Sequence, residues 1–228
     1  MIPKIIWQTH KTSKPPKVSL DSIKTWLNTN PEYEWYYMDD IKCEQFICDH
    51  FSDEFIEMYK SLPYGVMKSD AWRIAVIYIY GGVYADLDTE CVVPVDLWAE
   101  DKDLIVSYEP PTVDGIVNFV FAASPKHPAL LGCLQNLLIN YNNENYLDKL
   151  VVTGTPIQNY GQAAFAAGIK EYIQSNPNDD KVKIFSIEDN AFTPFKDNKT
   201  LVHHKTGSMF WGNNYESWRR KQVEDFGY

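Results

Sequence analysis

Between Gly65 and Asp88 the chain reads Gly65-Val66-Met67-Lys68-Ser69-Asp70-Ala71-Trp72-Arg73-Ile74-Ala75-Val76-Ile77-Tyr78-Ile79-Tyr80-Gly81-Gly82-Val83-Tyr84-Ala85-Asp86-Leu87-Asp88, and no other block constrains the fold as tightly. The stretch up to Tyr80 is apolar and long enough for a helix, with Asp70 and Arg73 as its only charges after Lys68. Those two residues are three apart and share a helix face. The glycine pair at 81 and 82 is a natural helix stop. Beyond it, Val83 to Leu87 suits a short strand. Alternation along a strand turns residues i and i+2 to one face, so Asp86 and Asp88 can reach a single hard cation where the strand leaves its sheet. An Asp-x-Asp alone is weak evidence in an acidic chain; its setting carries the argument.

The same order recurs along the chain. Strands are expected near 2–8, 33–38, 83–87, 103–107, 117–122 and 182–187, alternating with amphipathic runs near 20–29, 65–80 and 127–140. This is α/β order, and it predicts a Rossmann-like nucleotide-binding sheet flanked by helices, with ligand at the carboxyl ends of strands. With 228 residues and 45% hydrophobic content, the chain can bury one large core, so residues 1–228 are expected to form a single domain. Pro15-Pro16 and the polar stretch 175–181 read as surface connections.

Charge and cysteines narrow the function. A net charge of −10 without a basic stripe speaks against nucleic acid. Cys43, Cys48, Cys91 and Cys133 lack zinc spacing and are too few for a disulfide framework, which suggests a reducing compartment. Met1 leads directly into strand-like sequence, with no signal peptide. The longest apolar run carries Asp70, Arg73 and the glycine pair, so no transmembrane segment is expected. These features predict a cytoplasmic enzyme of bacterial or viral origin, with a Golgi lumen only if an anchor has been removed.

Four other segments matter. Ile2-Pro3-Lys4-Ile5-Ile6-Trp7-Gln8-Thr9-His10 suits a first buried strand. Pro31 to Asp40 reads as a second strand whose acidic pair, Asp39 and Asp40, caps the next helix. Asn118 to Pro128 reads as a buried strand running into a proline-led helix, with His127 structural. Val202-His203-His204-Lys205-Thr206-Gly207-Ser208-Met209 sets two histidines on an extended segment, where neighbours point to opposite sides and at most one can bind a given ion.

Taken with the Ser69-Asp70-x-x-Arg73 helix and Gly81-Gly82-x-Tyr84-x-Asp86-x-Asp88, these segments resemble the DXD-containing glycosyltransferases that include the Och1-type mannosyltransferases of yeast. More distantly they are similar to the glucosylating domains of large clostridial toxins. The resemblance implies a GT-A type fold and transfer of a hexose, with retention of configuration, from a nucleoside-diphosphate sugar to a glycan or lipid-linked hydroxyl acceptor. A uridine diphosphate hexose is favoured as donor, with guanosine diphosphate mannose the alternative. The implied cofactor is manganese, with magnesium possible, because carboxylate, imidazole and diphosphate oxygen together suit it.

The resemblance also assigns roles. Asp88 and Asp86 would hold the metal, with His203 preferred over His204 as a late ligand. Asp70 and Arg73 would clamp donor hydroxyls, a carboxylate accepting and a guanidinium donating; the plain alternative is an intrahelical ion pair. Donor contacts are expected at Trp7, Gln8, Asp70, Arg73, Tyr84, Asp86 and Ser208. Trp7 either stacks on the base or fills the core. The sequence departs from the family at Trp7, where histidine is usual, at His10, where an aromatic residue is usual, and at Thr155, Lys205 and Met209. Glu109 and Asp114 offer carboxylates without diagnostic spacing. A haloacid dehalogenase type phosphotransferase fits poorly, since Glu90 stands where that class carries threonine or valine. A catalytically silent sugar-nucleotide or glycan-binding protein of the same fold is the stronger alternative.

Overall fold

The computed structural model describes residues 1–108, 115–143, 159–189, 191–193 and 198–205. Glu109, Asp114, the 152–156 segment, Ser208 and Met209 lie outside the described residues. In chain order the elements are β1 (Ile5–Thr9), α1 (Leu20–Thr29), β2 (Glu34–Met38), α2 (Asp40–His50), α3 (Asp53–Ser61), α4 (Gly65–Tyr80), β3 (Gly82–Ala85), β4 (Thr89–Cys91) and α5 (Val95–Ala99). There follow β5 (Leu104–Ser107), β6 (Val120–Ala123), α6 (Pro128–Asn142), α7 (Asn159–Ser175), β7 (Val182–Phe185), β8 (Phe192–Thr193) and β9 (Val202–His204).

Six strands form a mixed sheet in the order β2-β1-β3-β6-β5-β7, and β4, β9 and β8 form a smaller second sheet. Strand β1 runs parallel to both β2 and β3, whereas β6 is antiparallel to β3. Period-two alternation divides the core between the two faces of the large sheet. Trp7, Tyr84 and Phe121 point into a cluster with α2, α3, α4, α6 and α7. Ile6, Val83 and Ala122 point into a second cluster with Trp26 of α1, Trp98 of α5 and Phe192 and Val202 of the small sheet.

Helix α4 is buried at Met67 and at every position from Asp70 to Ile77. Its sequence is apolar on all sides because it is enclosed on all sides. Gly81 ends it with φ +70 and an N–H that donates to the Ile77 carbonyl at 2.8 Å. A Cβ at Gly81 would lie 2.7 Å from Pro125 Cδ, and one at Gly82 would lie 2.6 Å from the Ile5 carbonyl oxygen. The glycine pair therefore stops the helix and also lets β3 close onto β1.

The two local assignments made for polar residues hold. Asp39 caps α2 by accepting from the Lys42 N–H at 2.9 Å. His127 is buried ahead of Pro128 and accepts from the Ala129 N–H at 3.2 Å through Nδ1, and burial lowers its pKa. Among the described residues no helix is long and apolar enough to cross a membrane.

Candidate active site at the carboxyl end of β3

Arg73 is the hub of a buried polar cluster. Its guanidinium lies 3.3 Å from Asp70 Oδ1 and 3.2 Å from Asp86 Oδ1. It donates to the Asn118 carbonyl at 2.9 Å and to Ser69 Oγ at 3.1 Å. Its carbon sits 4.5 Å from the centre of the Tyr84 ring, a cation–π contact. Helix α4 supplies Ser69, Asp70 and Arg73 from one face, β3 aims Tyr84 and Asp86 at that face, and β6 is entered through Asn118.

Asp70 is 4% exposed and accepts from Asn118 Nδ2 at 3.0 Å. Burial pushes its pKa up to about 6; the Arg73 charge opposes the shift and Asp86 adds to it. Burial likewise raises Asp86, against the pull of Arg73. Tyr84 donates its hydroxyl to Asp86 Oδ1, and burial raises the phenol well above its ordinary value, so it stays a donor. Helix α7 closes over this cluster: a Cβ at Gly161 would fall 2.0 Å from Asp70 Cβ.

Asp88 sits one residue beyond, in different company. Its Oδ2 lies 3.5 Å from His204 Nε2, and the His204 ring stacks on Phe119 at 4.2 Å between centroids. The β4–β9 ladder fixes this pairing by setting Thr89 opposite His204 and Glu90 opposite His203. His203 Nδ1 therefore faces Glu90 Oε2 at 3.3 Å, and Lys205 pairs with the same carboxylate. The two histidines point to opposite sides, as expected, and the one brought to Asp88 is His204, the second choice from sequence.

Other expected donor contacts fall elsewhere. Trp7 is 6% exposed, with Tyr36 stacked on it at 4.7 Å and Tyr80 at 5.8 Å, and its Nε1 donates to the Gly81 carbonyl. Gln8 is fully buried, accepts from Trp35 Nε1 at 2.9 Å and, among the described residues, leaves its own Nε2 without a hydrogen-bond partner. Neither side chain opens onto solvent beside Asp86. The ring that does lie at the end of β1 is His10, partly exposed and hydrogen-bonded to Thr12 Oγ1, with a pKa lowered first by burial. Sequence reasoning missed Asn118, Phe119 and Gly161, whose roles arise from contacts across strands and helices.

DXD glycosyltransferases generally use a divalent metal. Here the donor set at the mouth is one carboxylate and one imidazole, Asp88 and His204, and among the described residues no group of three or more candidate ligands gathers. Such a set fits a cation that takes the rest of its shell from diphosphate oxygens. Asp86 is already engaged by Arg73 and Tyr84.

Comparison with known proteins gives the family and the fold. Residues 16–105 match the family described as "Glycosyltransferase sugar-binding region containing DXD motif". Inositol phosphoceramide mannosyltransferase 3 of Schizosaccharomyces pombe is 33% identical over 67% of this chain and 42% of its own length. The initiation-specific alpha-1,6-mannosyltransferase of Candida albicans is 34% identical over 46% of this chain and 29% of its own. The chain thus spans less than half the length of these two relatives. Among solved structures, the PaToxG glycosyltransferase aligns with a TM-score of 0.57 at 18% identity, covering 76% of this chain and 71% of that one. The ligand-free glycosyltransferase domain of the YGT toxin aligns with a TM-score of 0.51 at 9% identity, covering 98% and 86%. At such identities the likeness concerns the fold, which is of the GT-A type.

These relatives correct one expectation. A cytoplasmic enzyme of bacterial or viral origin does not agree with matches to fungal mannosyltransferases at 33 and 34% identity. The spacing of the cysteines and the strand-like opening after Met1 carry that expectation, and neither determines a compartment. With the Asp70 to Asp88 block inside the matched region and its side chains gathered at one strand end, the chain belongs to the DXD-containing glycosyltransferases.

Proposed function

We propose that the protein transfers a hexose from a nucleoside-diphosphate sugar to a hydroxyl acceptor, with a divalent cation at Asp88 and His204 and with retention at the anomeric carbon. The observation that carries this reading is the juxtaposition of a buried Asp70–Arg73 pair, which grips the partly exposed Asp86, with the partly exposed Asp88–His204 carboxylate–imidazole pair two residues on. The names of the fungal relatives favour a mannosyl donor over the uridine diphosphate hexose suggested by the motif. Those names also favour an acceptor hydroxyl on a phosphoinositol-type or glycan head group.

In this reading the residues divide the work. Asp70 and Arg73 hold donor hydroxyls from below, with Asn118 and Ser69 fixing their orientation. Tyr84 keeps Asp86 pointed at the site and leaves one edge of its carboxylate for the ribose. Bound there, manganese or magnesium neutralises the charge that grows on the diphosphate as the glycosidic bond lengthens, which lowers the barrier only because that charge is larger in the transition state. Asp88 and His204 are the residues that hold it. Departing phosphate takes the acceptor proton, so the cluster needs no separate base. His10, at the end of β1, is the flat ring placed to meet the base, while Trp7 supports the strand beneath it.

The test is release of free nucleoside diphosphate from a panel of nucleotide sugars with manganese, beside an Asp88→Ala control. Release from one donor, abolished by the substitution, supports the transferase and names its donor. Donor binding by thermal shift without turnover, with and without sugar-alcohol acceptors, supports the silent binding protein instead.

A further inference from the structure

The connection from β1 to α1 carries Lys11, Lys14 and Lys17 within seven residues and no acidic residue, in a chain whose net charge is −10. All three lysines are exposed. None of them forms an ion pair among the described residues, whereas Lys4, Lys24, Lys102, Lys181 and Lys205 each lie against a carboxylate. Two apolar side chains accompany them: Val18 and Leu20 are each 41% exposed. The segment is held in shape: Tyr37 donates its hydroxyl to the Thr12 carbonyl at 2.6 Å, and Thr12 Oγ1 donates to the Lys14 carbonyl at 2.8 Å. Pro15 and Pro16 stiffen the chain between Lys14 and Lys17.

Position gives this patch its meaning. Strands β1 and β3 are parallel neighbours, so the loop leaving β1 emerges on the same edge of the sheet as Asp86. In the chain the first acidic residue after the segment is Asp21, which pairs with Lys24 at 2.9 Å. The lysines are therefore left to face outward beside the site, with apolar groups among them.

We propose that the 11–20 segment is a docking surface for an anionic lipid bilayer, which turns the Asp86–Asp88 edge of the sheet toward the membrane. Lysines gain from the negative surface potential only within about 8–10 Å, the range over which salt screens charge. The rest of this acidic protein is repelled at that range, so attraction at one loop also sets orientation. Val18 and Leu20 add a contact with the acyl boundary that a soluble phosphate ligand would not use, and they decide for a lipid surface over a free anion. The proposal concerns binding alone and stands whether or not the transferase reading holds.

Vesicle flotation tests it. The protein should bind vesicles containing phosphatidylserine and not vesicles of phosphatidylcholine alone, and added salt should weaken the binding. The triple variant Lys11→Glu/Lys14→Glu/Lys17→Glu should lose about 100-fold in partitioning. A charge-matched variant, Lys60→Glu/Lys183→Glu/Lys199→Glu, should keep most of it. Val18→Ser/Leu20→Ser should remove the fraction that survives moderate salt. The proposal is overturned if wild-type protein ignores anionic vesicles, if it binds neutral ones equally, or if the two triple variants lose binding alike. Displacement by low concentrations of inorganic pyrophosphate would also overturn it, by making the loop a phosphate site. The salt titration of the wild type decides the matter if a variant fails to fold.

Discussion

Asp86 and Asp88 flank Leu87 in the same motif, are both partly exposed and keep different company. Asp86 is gripped by Arg73 and Tyr84, with its side chain 27% exposed. Asp88, with its side chain 19% exposed, has the His204 imidazole beside it, from a strand that arrives much later in the chain. The difference teaches that a carboxylate gripped by a guanidinium and a phenol organises a site, while one beside an imidazole serves a ligand. Breaking the inner cluster should therefore damage the fold, and breaking the outer pair should damage only what the fold is for.

Arg73→Met is the severest test. It leaves the buried Asp70 and the partly exposed Asp86 without their cation, and a loss of about 3–5 kcal/mol in denaturant unfolding is expected. If stability is unchanged, the inner cluster does not hold the fold and the contrast fails. Asp88→Ala should behave in the reverse manner: turnover falls about 100- to 1000-fold, while the unfolding midpoint stays near that of the wild type. A large stability loss there would erase the distinction between the two aspartates.

A pH dependence sharpens it further. The Asp70 carboxyl has its pKa raised from an ordinary 3.8 to about 6, chiefly by burial, so the folded chain holds this proton more tightly than the unfolded one. Its contribution to stability is thus fully present below pH 4 and lost as pH rises through about 6, a change on the order of 3 kcal/mol. Asp70→Asn should flatten that part of the stability profile, measured by denaturant unfolding between pH 4 and 7. The smallest effect separates the histidines. His204→Ala should raise the manganese concentration needed for half-maximal donor binding about tenfold, and His203→Ala should leave it nearly unchanged.

How much the sequence revealed was set by locality. Helix α4, the glycine stop and strand β3 were legible because periodicity and chain-breaking residues act within a few positions. The shared face of Asp70 and Arg73 was legible for the same reason. Asn118 was visible only as the start of a strand, since its partners Asp70 and Arg73 reach it through the antiparallel pairing of β6 with β3. The choice between His203 and His204 depended on the register of β4 against β9, which no local pattern encodes. Trp7 was seen correctly as a strand residue, but its enclosure by Tyr36 and Tyr80 depends on β2 and α4 meeting across β1. Helix α2 was only hinted at, by the acidic pair at its start, and α3 and α7 were not delineated at all.

The pairing of β9 with β4 has a consequence for the order in which a ribosome delivers the parts. Asp70, Arg73, Asp86 and Asn118 all leave the exit tunnel early enough to assemble while a large part of the chain is still unmade. His204 emerges only after α6, α7 and β7 have been translated. A nascent chain can thus gather its inner cluster, and close α7 over it, before it can grip a cation. The interval between the two gives the growing protein a period in which it has its shape but not yet its chemistry.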